Sequence, residues 1–311
     1  MAVLRRQDLL ARGLTPNEVR LLVANGDLER VRHGVLATAQ PTRLTLEQQH
    51  TRLVLGTWAG LRPGAVLSHV SAAVLHELPV PRSSLSRVWI TRPGRGGKSS
   101  QAVRLVRGDL SDDEVVRIGR IDVTSLLRTT VDLLSRLSFT DGVILADAAV
   151  RRGVNLAELV QALERSHIKG VLRARQAARF ADGRSESAGE SLSRVIMARG
   201  GLEIPELQFV IQGQHGTIAR TDFAWQRHRT VGEFDGKIKY GVDPASADPT
   251  RALFAEKQRE DRIRAEGWWP VRWVWADLAE PAVLCRRITR AFADADRFFG
   301  LGTRTLPRDP T

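Results

Sequence analysis

Charged and apolar residues alternate in the segment EFDGKIKY, which begins at Glu233. Successive side chains of a β-strand point to opposite faces, so one face of this strand is wholly charged. That face carries Glu233, Asp235, Lys237 and Lys239. Acidic and lysine side chains held side by side on a strand are suited to metal binding and to phosphate chemistry.

A further acidic residue comes from the preceding strand, TIARTDFAW. The polar segment QRHR, residues 226–229, predicts a turn between the two strands. A turn that is symmetric about Arg227 and His228 pairs the strands so that Asp222 lies opposite Glu233. The hairpin therefore predicts two neighbouring carboxylates on one face of a sheet.

Two carboxylates on adjacent strands repel each other unless a cation lies between them. Mg²⁺, or Mn²⁺ in its place, prefers carboxylates together with water and phosphate oxygens. Such an ion polarises a scissile phosphate, and a lysine nearby stabilises the negative charge of the transition state. We therefore predict Asp222, Glu233, Asp235 and Lys237 as catalytic residues, and Glu190, Asp222 and Glu233 as metal ligands. The alternative is that the charged face is the solvated side of a two-layer sheet.

Two predicted helices flank these strands along the chain. The first begins at Ser185 and places Glu186 and Glu190, four residues apart, on one face. The second has the sequence EKQREDRIRAEG and brings basic residues toward substrate phosphates, unless it is a solvated helix held by ion pairs. With the strand residue Lys239, the predicted phosphate contacts are Lys257, Arg259 and Arg262.

The order of these motifs resembles the DUF559 and very-short-patch-repair-like branch of the PD-(D/E)xK endonucleases. The matching segments are SAGE (187–190), TDFAW (221–225), EFDGK (233–237), KQREDRIR (257–264) and GW (267–268). The resemblance covers roughly residues 185–278 and implies a central sheet flanked by helices, and metal-dependent DNA cleavage. In that pattern Asp222 and Glu233 match the two metal-binding acids, and Glu190 matches the upstream helix acid. The lysine of the pattern falls on Asp235, whereas Lys237 lies two residues later on the same face.

The beginning of the chain predicts a winged helix-turn-helix. Thr15, Pro16 and Glu18 form a capping box with proline at the first helical position, which predicts a helix from 16 to about 24. A β-ribbon around a turn at Gly34 follows. In such a module the second helix enters the DNA major groove. The residues expected to face DNA are Asn17, Arg20, Arg30, Arg32 and His33; the alternative is a helical hairpin that binds protein.

The middle of the chain, residues 41–182, predicts a mixture of helices and strands. The segments RVWITRP and AVRLVRG alternate like strands, and the basic segment between them predicts a hairpin loop. Further on, Arg128 and Asp132 lie four residues apart on a predicted helix, which indicates a structural ion pair.

Three segments of this first half resemble the AbiEi-type antitoxins of actinobacteria, which are winged-helix transcriptional regulators of type IV toxin–antitoxin systems. They are LLARGLTPNEVRLLVANGDLERVRHGVLAT, SHVSAAVLHELPVP and VTSLLRTTVDLL. The resemblance implies DNA binding. It does not imply that a toxin partner exists for this chain.

Composition is consistent with a polyanionic partner. The 311 residues carry a formal net charge of +12, and residues 80–180 hold 18 Lys and Arg against 10 Asp and Glu. The alternative is that the chain is basic without binding a polyanion.

Cys285 is the single cysteine, which excludes an internal disulfide and a cysteine-based zinc site. The first residues lack the apolar run of a signal peptide, so a cytoplasmic protein is expected.

Together these patterns predict an α/β protein, α+β overall, with three domains: a winged helix-turn-helix (1–40), a basic α/β middle domain (41–182) and a nuclease-like domain (183–300). The predicted function is DNA binding combined with metal-dependent endonuclease activity. The competing prediction is a non-catalytic AbiEi-like regulator whose nuclease fold has lost activity. DNA is the expected partner, a toxin-system context and a homodimer are open alternatives, and no membrane partner is expected.

Overall fold

The computed structural model describes residues 3–39, 43–61, 63–94, 99–214, 216–236 and 249–300. Helices and three separate sheets make up these residues, so the predicted α+β class is confirmed. The chain divides into two compact units, one ending at Ala181 and the other beginning at Asp182. The predicted division into three domains stays a prediction.

The first unit opens with a small sheet and two short helices. Its elements are β1 (Val3–Arg5), α1 (Arg6–Ala11), α2 (Pro16–Ala24), β2 (Leu28–Arg32) and β3 (Val35–Thr38). The strands lie in the order β1-β3-β2, and β2 and β3 form an antiparallel hairpin, which we call the wing. Leu9, Val19, Leu28 and Leu36 form the core between helices and sheet. The helix pair followed by a β-ribbon is the arrangement predicted for this segment.

The rest of the first unit combines a five-stranded sheet with six helices. In chain order they are α3 (Leu46–Trp58), β4 (Val66–Leu67), α4 (His69–Leu75), β5 (Val88–Arg92), β6 (Val103–Arg107), β7 (Val115–Ile118), β8 (Ile121–Thr124), α5 (Leu126–Leu134), α6 (Phe139–Arg151), α7 (Leu156–Arg165) and α8 (Val171–Phe180). The strand order is β6-β5-β4-β8-β7, and α3 also packs on the wing. The predicted ion pair is confirmed, with Arg128 Nε 3.0 Å from Asp132 Oδ1.

One local prediction in this sheet is wrong. The strands β5 and β6 pair in parallel, with Val88 opposite Val103 and Arg92 opposite Arg107, so the segment between them is not a hairpin loop. A parallel pair requires the chain to return along the length of a strand before the next strand begins. Part of that connection, residues 95–98, lies outside the described residues.

The second unit is a four-stranded sheet with helices on both faces. Its elements are α9 (Ala188–Arg199), β9 (Glu206–Gly213), β10 (Gly216–Trp225), β11 (Thr230–Asp235), α10 (Pro249–Ala265), β12 (Trp269–Val274), α11 (Trp275–Leu278) and α12 (Pro281–Phe299). The strand order is β12-β11-β10-β9. The strands β9, β10 and β11 are antiparallel neighbours, whereas β12 runs parallel to β11.

Alternation along the strands separates two cores in this unit. Phe223, Trp225 and Trp273 are fully buried in the cluster that includes residues of α9 and α12. On the other face Val231 packs with Ile263 of α10. The charged side chains of β11 and β12 therefore lie on the face that α10 covers.

Candidate functional site

The helix α2 is fixed at its start by the predicted capping box. Thr15 Oγ1 accepts a hydrogen bond from the Glu18 backbone N–H at 3.2 Å, and a Glu18 carboxylate oxygen accepts one from the Thr15 backbone N–H at 2.7 Å. The first of these bonds satisfies an N–H group that the first turn of a helix leaves without a partner. Pro16 occupies the first helical position, and Val19 anchors the helix in the core. Asn17 and Arg20 are left exposed.

A basic cleft of about 680 Å³, which we call the wing cleft, lies between these helices and the wing. Its charged and titratable lining consists of Arg5, Arg6, Arg20, Arg30, Arg32 and His33. The described residues that line it include no Asp or Glu. The wing cleft therefore presents positive charge that no lining carboxylate offsets, as expected of a surface that meets phosphates.

Of the residues predicted to contact DNA in the first unit, all but Arg32 are exposed. Asn17, Arg20, Arg30 and His33 are exposed, and all of these except Asn17 line the wing cleft. Arg32 is half-buried and donates to the Gly56 carbonyl oxygen at 3.2 Å. Arg32 thus holds the wing against α3. Arg5 and Arg6 were not predicted, although two adjacent arginines at the start of a helix are a signal that the sequence contains.

In the second unit the hairpin has the predicted register. Phe223 pairs with Gly232 and Ala224 with Val231, and continuing this register places Asp222 opposite Glu233. Asp222 Oδ2 also accepts a hydrogen bond from the Phe234 backbone N–H at 2.8 Å. The two predicted acids therefore lie on adjacent strands.

The carboxylate of Glu233 is held by two arginines. Arg259 of α10 donates to both of its oxygens, with Nη1 2.9 Å from Oε2. Arg272 of β12 pairs with Glu233 across the sheet, and its Nε lies 3.0 Å from Oε2, close enough for an ion pair but not aligned for a hydrogen bond. Glu256 contacts both arginines as well. These four side chains form a closed ring of ion pairs on the face that α10 covers.

The helix acid Glu190 is buried and hydrogen-bonded within the protein. Its Oε2 accepts from the Glu186 backbone N–H at 2.8 Å and from Gln208 Nε2 at 3.2 Å. Glu186 precedes α9 and makes a two-pronged ion pair with Arg220, so the predicted shared helical face of Glu186 and Glu190 is wrong. The N-cap Ser187 explains this, because the helix then begins at Ala188, two residues after Glu186.

Burial raises the pKa of Asp222 to about 6, and the nearby negative charges of Glu190 and Glu233 act in the same direction. The hydrogen bond from the Phe234 backbone N–H lowers the pKa of Asp222, but by less than burial raises it. A buried carboxylate close to other negative charges is an electrostatic setting in which a bound cation would be favourable.

The described side chains nevertheless do not fit a metal ion as they stand. Arg259 occupies both oxygens of Glu233, and Glu190 is hydrogen-bonded to the chain. Within the described ranges no group of three or more His, Cys, Asp or Glu side chains is arranged to hold a metal. Glu233 is thus paired with two arginines, whereas Asp222 and Glu190 accept hydrogen bonds from neutral N–H groups of the protein.

The remaining predicted residues fall into three groups. Lys237 and Lys239 lie outside the described residues. Lys257 and Arg262 are exposed on α10, while Arg259 points to Glu233 instead of solvent. Asp235 is half-exposed at the end of β11. Arg272 was missed, although it is the only charged residue in the apolar strand WPVRWV, and that isolation was a usable signal.

Among the helices of the described residues, none combines the length and the apolar composition that crossing a bilayer requires.

One family model matches the beginning of the chain, and one solved structure aligns weakly with a larger part of it. Residues 2–39 match the model of the family described as "Transcriptional regulator, AbiEi antitoxin". A crystal structure of the RV2827C protein from Mycobacterium tuberculosis aligns with a TM-score of 0.39 and 15% identity over 68% of this chain and 84% of that chain. Similarity at that level supports no inference about fold or activity.

Two relatives cover nearly the full length. They are the uncharacterized protein MT2308 of Mycobacterium tuberculosis (strain CDC 1551 / Oshkosh) and the uncharacterized protein Rv2248 of strain ATCC 25618 / H37Rv. Each is 30% identical over 281 residues, which is 89% of this chain and 97% of the relative. The chain belongs to the family of these two mycobacterial proteins, and its residues 2–39 match the AbiEi antitoxin family of transcriptional regulators.

Proposed function

We propose that the chain is a DNA-binding transcriptional regulator of the AbiEi antitoxin type and that it binds duplex DNA through the wing cleft. The observation that carries this proposal is the charge of the cleft. Five arginines and His33 line it between α2 and the wing, and no Asp or Glu stands among its described lining residues. The match of residues 2–39 to AbiEi regulators supports the same assignment.

The two walls of the wing cleft have different roles in this proposal. The helix α2 enters the major groove, where the exposed Asn17 and Arg20 reach base edges. Arg30 and His33 of the wing contact phosphates, which fix the position of the protein on the duplex. A toxin-system context, suggested by the match to the AbiEi antitoxin family, is a further proposal. A second copy of the chain on a symmetric operator is another, because dimeric regulators of this kind bind two half-sites.

The test is a fluorescence-anisotropy titration with the DNA upstream of the gene for this chain and with a scrambled duplex of equal length. We expect tighter binding to the upstream DNA. Arg30→Ala should weaken binding and lower the magnitude of the slope of log K against log salt by about 0.9 for each phosphate that the variant no longer binds. Arg20→Ala should weaken binding to the upstream DNA more than binding to the scrambled duplex, because Arg20 is proposed to contact base edges. The matched control is Arg165→Ala, an exposed arginine at the end of α7. Equal affinities for all four proteins on both duplexes would refute the proposal.

A second candidate function concerns the second unit. We propose that its sheet is nuclease-like, in the manner of DUF559 endonucleases, and that Mg²⁺ or Mn²⁺ serves it. The supporting observation is the position of Asp222 opposite Glu233, together with the raised pKa of Asp222. Activity would require Arg259 and Arg272 to release Glu233, which is why the regulator is the leading proposal.

Plasmid cleavage separates the two candidates. The protein and its variants Asp222→Ala and Glu233→Ala are incubated with supercoiled plasmid and either divalent ion. Cleavage that both substitutions abolish supports the nuclease. Retention of the upstream DNA without any cleavage by the unaltered protein supports a regulator whose nuclease-like sheet is not catalytic.

A further inference from the structure

A second groove lies beside the wing, in addition to the wing cleft. It has a volume of about 690 Å³ and runs between β2, the start of α3 and the short 3₁₀ turn Arg82–Ser84. Its titratable lining consists of Glu29, Arg30, Arg43, His50, Arg52 and Arg82. We call it the flanking groove.

The flanking groove is positively charged. Its one described carboxylate, Glu29, is neutralised by Arg52, whose Nη1 lies 2.7 Å from it. Burial lowers the pKa of His50, whose ring nitrogens contact the Leu85 carbonyl and Ser71 Oγ, so the imidazole adds no charge at neutral pH. The exposed Arg43 and Arg82 make no ion pair with the described residues. Their charges are therefore available to an anion.

Arg52 adds a buried donor to this lining. Its side chain is only 6% exposed, and Nη2 donates to the Thr38 carbonyl at 2.6 Å. Its Nε is buried and has no hydrogen-bond partner among the described residues. The contacts with Glu29 and the Thr38 carbonyl therefore fix the position of the Arg52 side chain in the lining.

The flanking groove and the wing cleft share Arg30. Positive charge thus continues across the wing, from Arg20 on one side to Arg43 and Arg82 on the other. A continuous basic surface on both sides of one β-hairpin matches a continuous polyanion better than an isolated anion.

We propose that the flanking groove holds the phosphodiester backbone of duplex DNA next to the segment that the wing cleft binds. The inference rests on the proposed DNA binding by the wing cleft and extends the footprint of the protein beyond it. Arg43 and Arg82 each contact a phosphate, and Arg52 positions Glu29 away from the DNA.

The test compares two duplexes that share the wing-cleft site, one of about one helical turn, ~10 base pairs, and one about twice as long. The double variant Arg43→Ala/Arg82→Ala is measured by anisotropy over a range of salt concentrations. We expect the slope of log K against log salt to fall in magnitude by about 1.8 on the long duplex, since each phosphate contact contributes about 0.9. On the short duplex it should stay unchanged. Arg43→Lys/Arg82→Lys should keep most of the slope.

The matched control is Arg165→Ala/Arg173→Ala, two exposed arginines of α7 and α8 outside the groove. An unchanged slope on the long duplex, or an equal reduction on both duplexes, overturns the proposal. A site for a small anion would also overturn it. In that case inorganic phosphate raises the melting temperature of the unaltered protein but not of Arg43→Ala/Arg82→Ala, while the two proteins show the same slope of log K against log salt on DNA. Failure of the wing-cleft proposal is distinct, because Arg20→Ala, which lines the wing cleft but not the flanking groove, would then leave binding of both duplexes unchanged.

Discussion

Glu233 of β11 and Arg259 of α10 form a two-pronged ion pair, in which the guanidinium donates to both carboxylate oxygens. Arg272 and Glu256 complete the ring around it. The side chains of Glu233 and Arg259 are 18% and 27% exposed, so water screens the pair only in part. The acid that the sequence predicts as a metal ligand therefore joins a helix to the sheet in this structure.

Replacing Arg259 should destabilise the second unit. Arg259→Ala leaves Glu233 with Arg272 alone, and we expect a decrease of about 1.5–3 kcal/mol in the free energy of unfolding, the range for hydrogen bonds to charged groups. Urea unfolding followed by tryptophan fluorescence measures it, because five of the seven tryptophans lie in this unit.

The matched control for this experiment is Arg262→Ala, an exposed residue of the same helix. Its effect should stay within about 0.5 kcal/mol, as for surface substitutions in general. Equal decreases from both substitutions would show that the ion pair with Glu233 contributes no more than an exposed arginine.

The features that could be predicted from the sequence are those set by local geometry. The capping box of Thr15 and Glu18 depends on residues three apart, and the register of the Asp222–Glu233 hairpin depends on strand alternation and a short turn. Each requires no knowledge of distant segments. The winged arrangement of residues 3–38 follows from such local signals as well.

The partners of Glu233 could not be predicted in this way. Arg272 becomes its neighbour only because β12 returns parallel to β11 after α10, and Arg259 reaches it only because α10 crosses that face. The same limit explains the error at β5 and β6, where alternation identifies both strands but not their direction. Strand direction and helix placement depend on tertiary packing, which a motif does not contain.

The raised pKa of Asp222 predicts a pH dependence of stability. Its pKa is about 6 in the folded protein and 3.8 as its ordinary value. The folded state therefore binds a proton at Asp222 more tightly than the unfolded state does. The stability that this proton contributes is fully present below pH 3.8 and is lost as the pH rises through about 6. Asp222→Asn removes the charge and keeps an oxygen that can accept from Phe234 N–H. We expect the melting temperature of the variant to exceed that of the unaltered protein by more at pH ~8 than at pH ~5.

The control for that comparison is Asp261→Asn, at an exposed position of α10. The difference in melting temperature between Asp261→Asn and the unaltered protein should be nearly the same at both pH values. A difference for Asp222→Asn that does not grow with pH would show that its carboxyl titrates as it does in the unfolded chain.

The start of α2 should be sensitive to a single hydroxyl. Thr15→Ala removes the acceptor for the Glu18 N–H, and loss of such an N-cap costs about 1 kcal/mol. The substitution should also weaken binding to DNA, because α2 carries Arg20. Differential scanning calorimetry and the anisotropy titration measure the two effects. Thr289→Ala, at an exposed helical position whose hydroxyl bonds only the preceding turn, should change neither by a comparable amount.

The close approach of α9 to the sheet depends on Gly189. A Cβ atom at this position would lie 1.9 Å from Cε1 of Phe234, so the helix could not keep its place on β11. Alanine in a helix normally gains up to about 1 kcal/mol over glycine. Here we expect Gly189→Ala to lower stability instead, by about 1–3 kcal/mol, as overpacked cores do.

The control is Gly142→Ala in α6, whose Cβ would lie 3.1 Å from Ala177 Cβ, and it should have a smaller effect on stability. Phe234→Leu combined with Gly189→Ala should recover part of the stability, because the two residues contact each other and their effects are not additive. Thermal melting of the unaltered protein and of these three variants measures the effects, and a higher melting temperature for Gly189→Ala than for the unaltered protein would contradict the close approach.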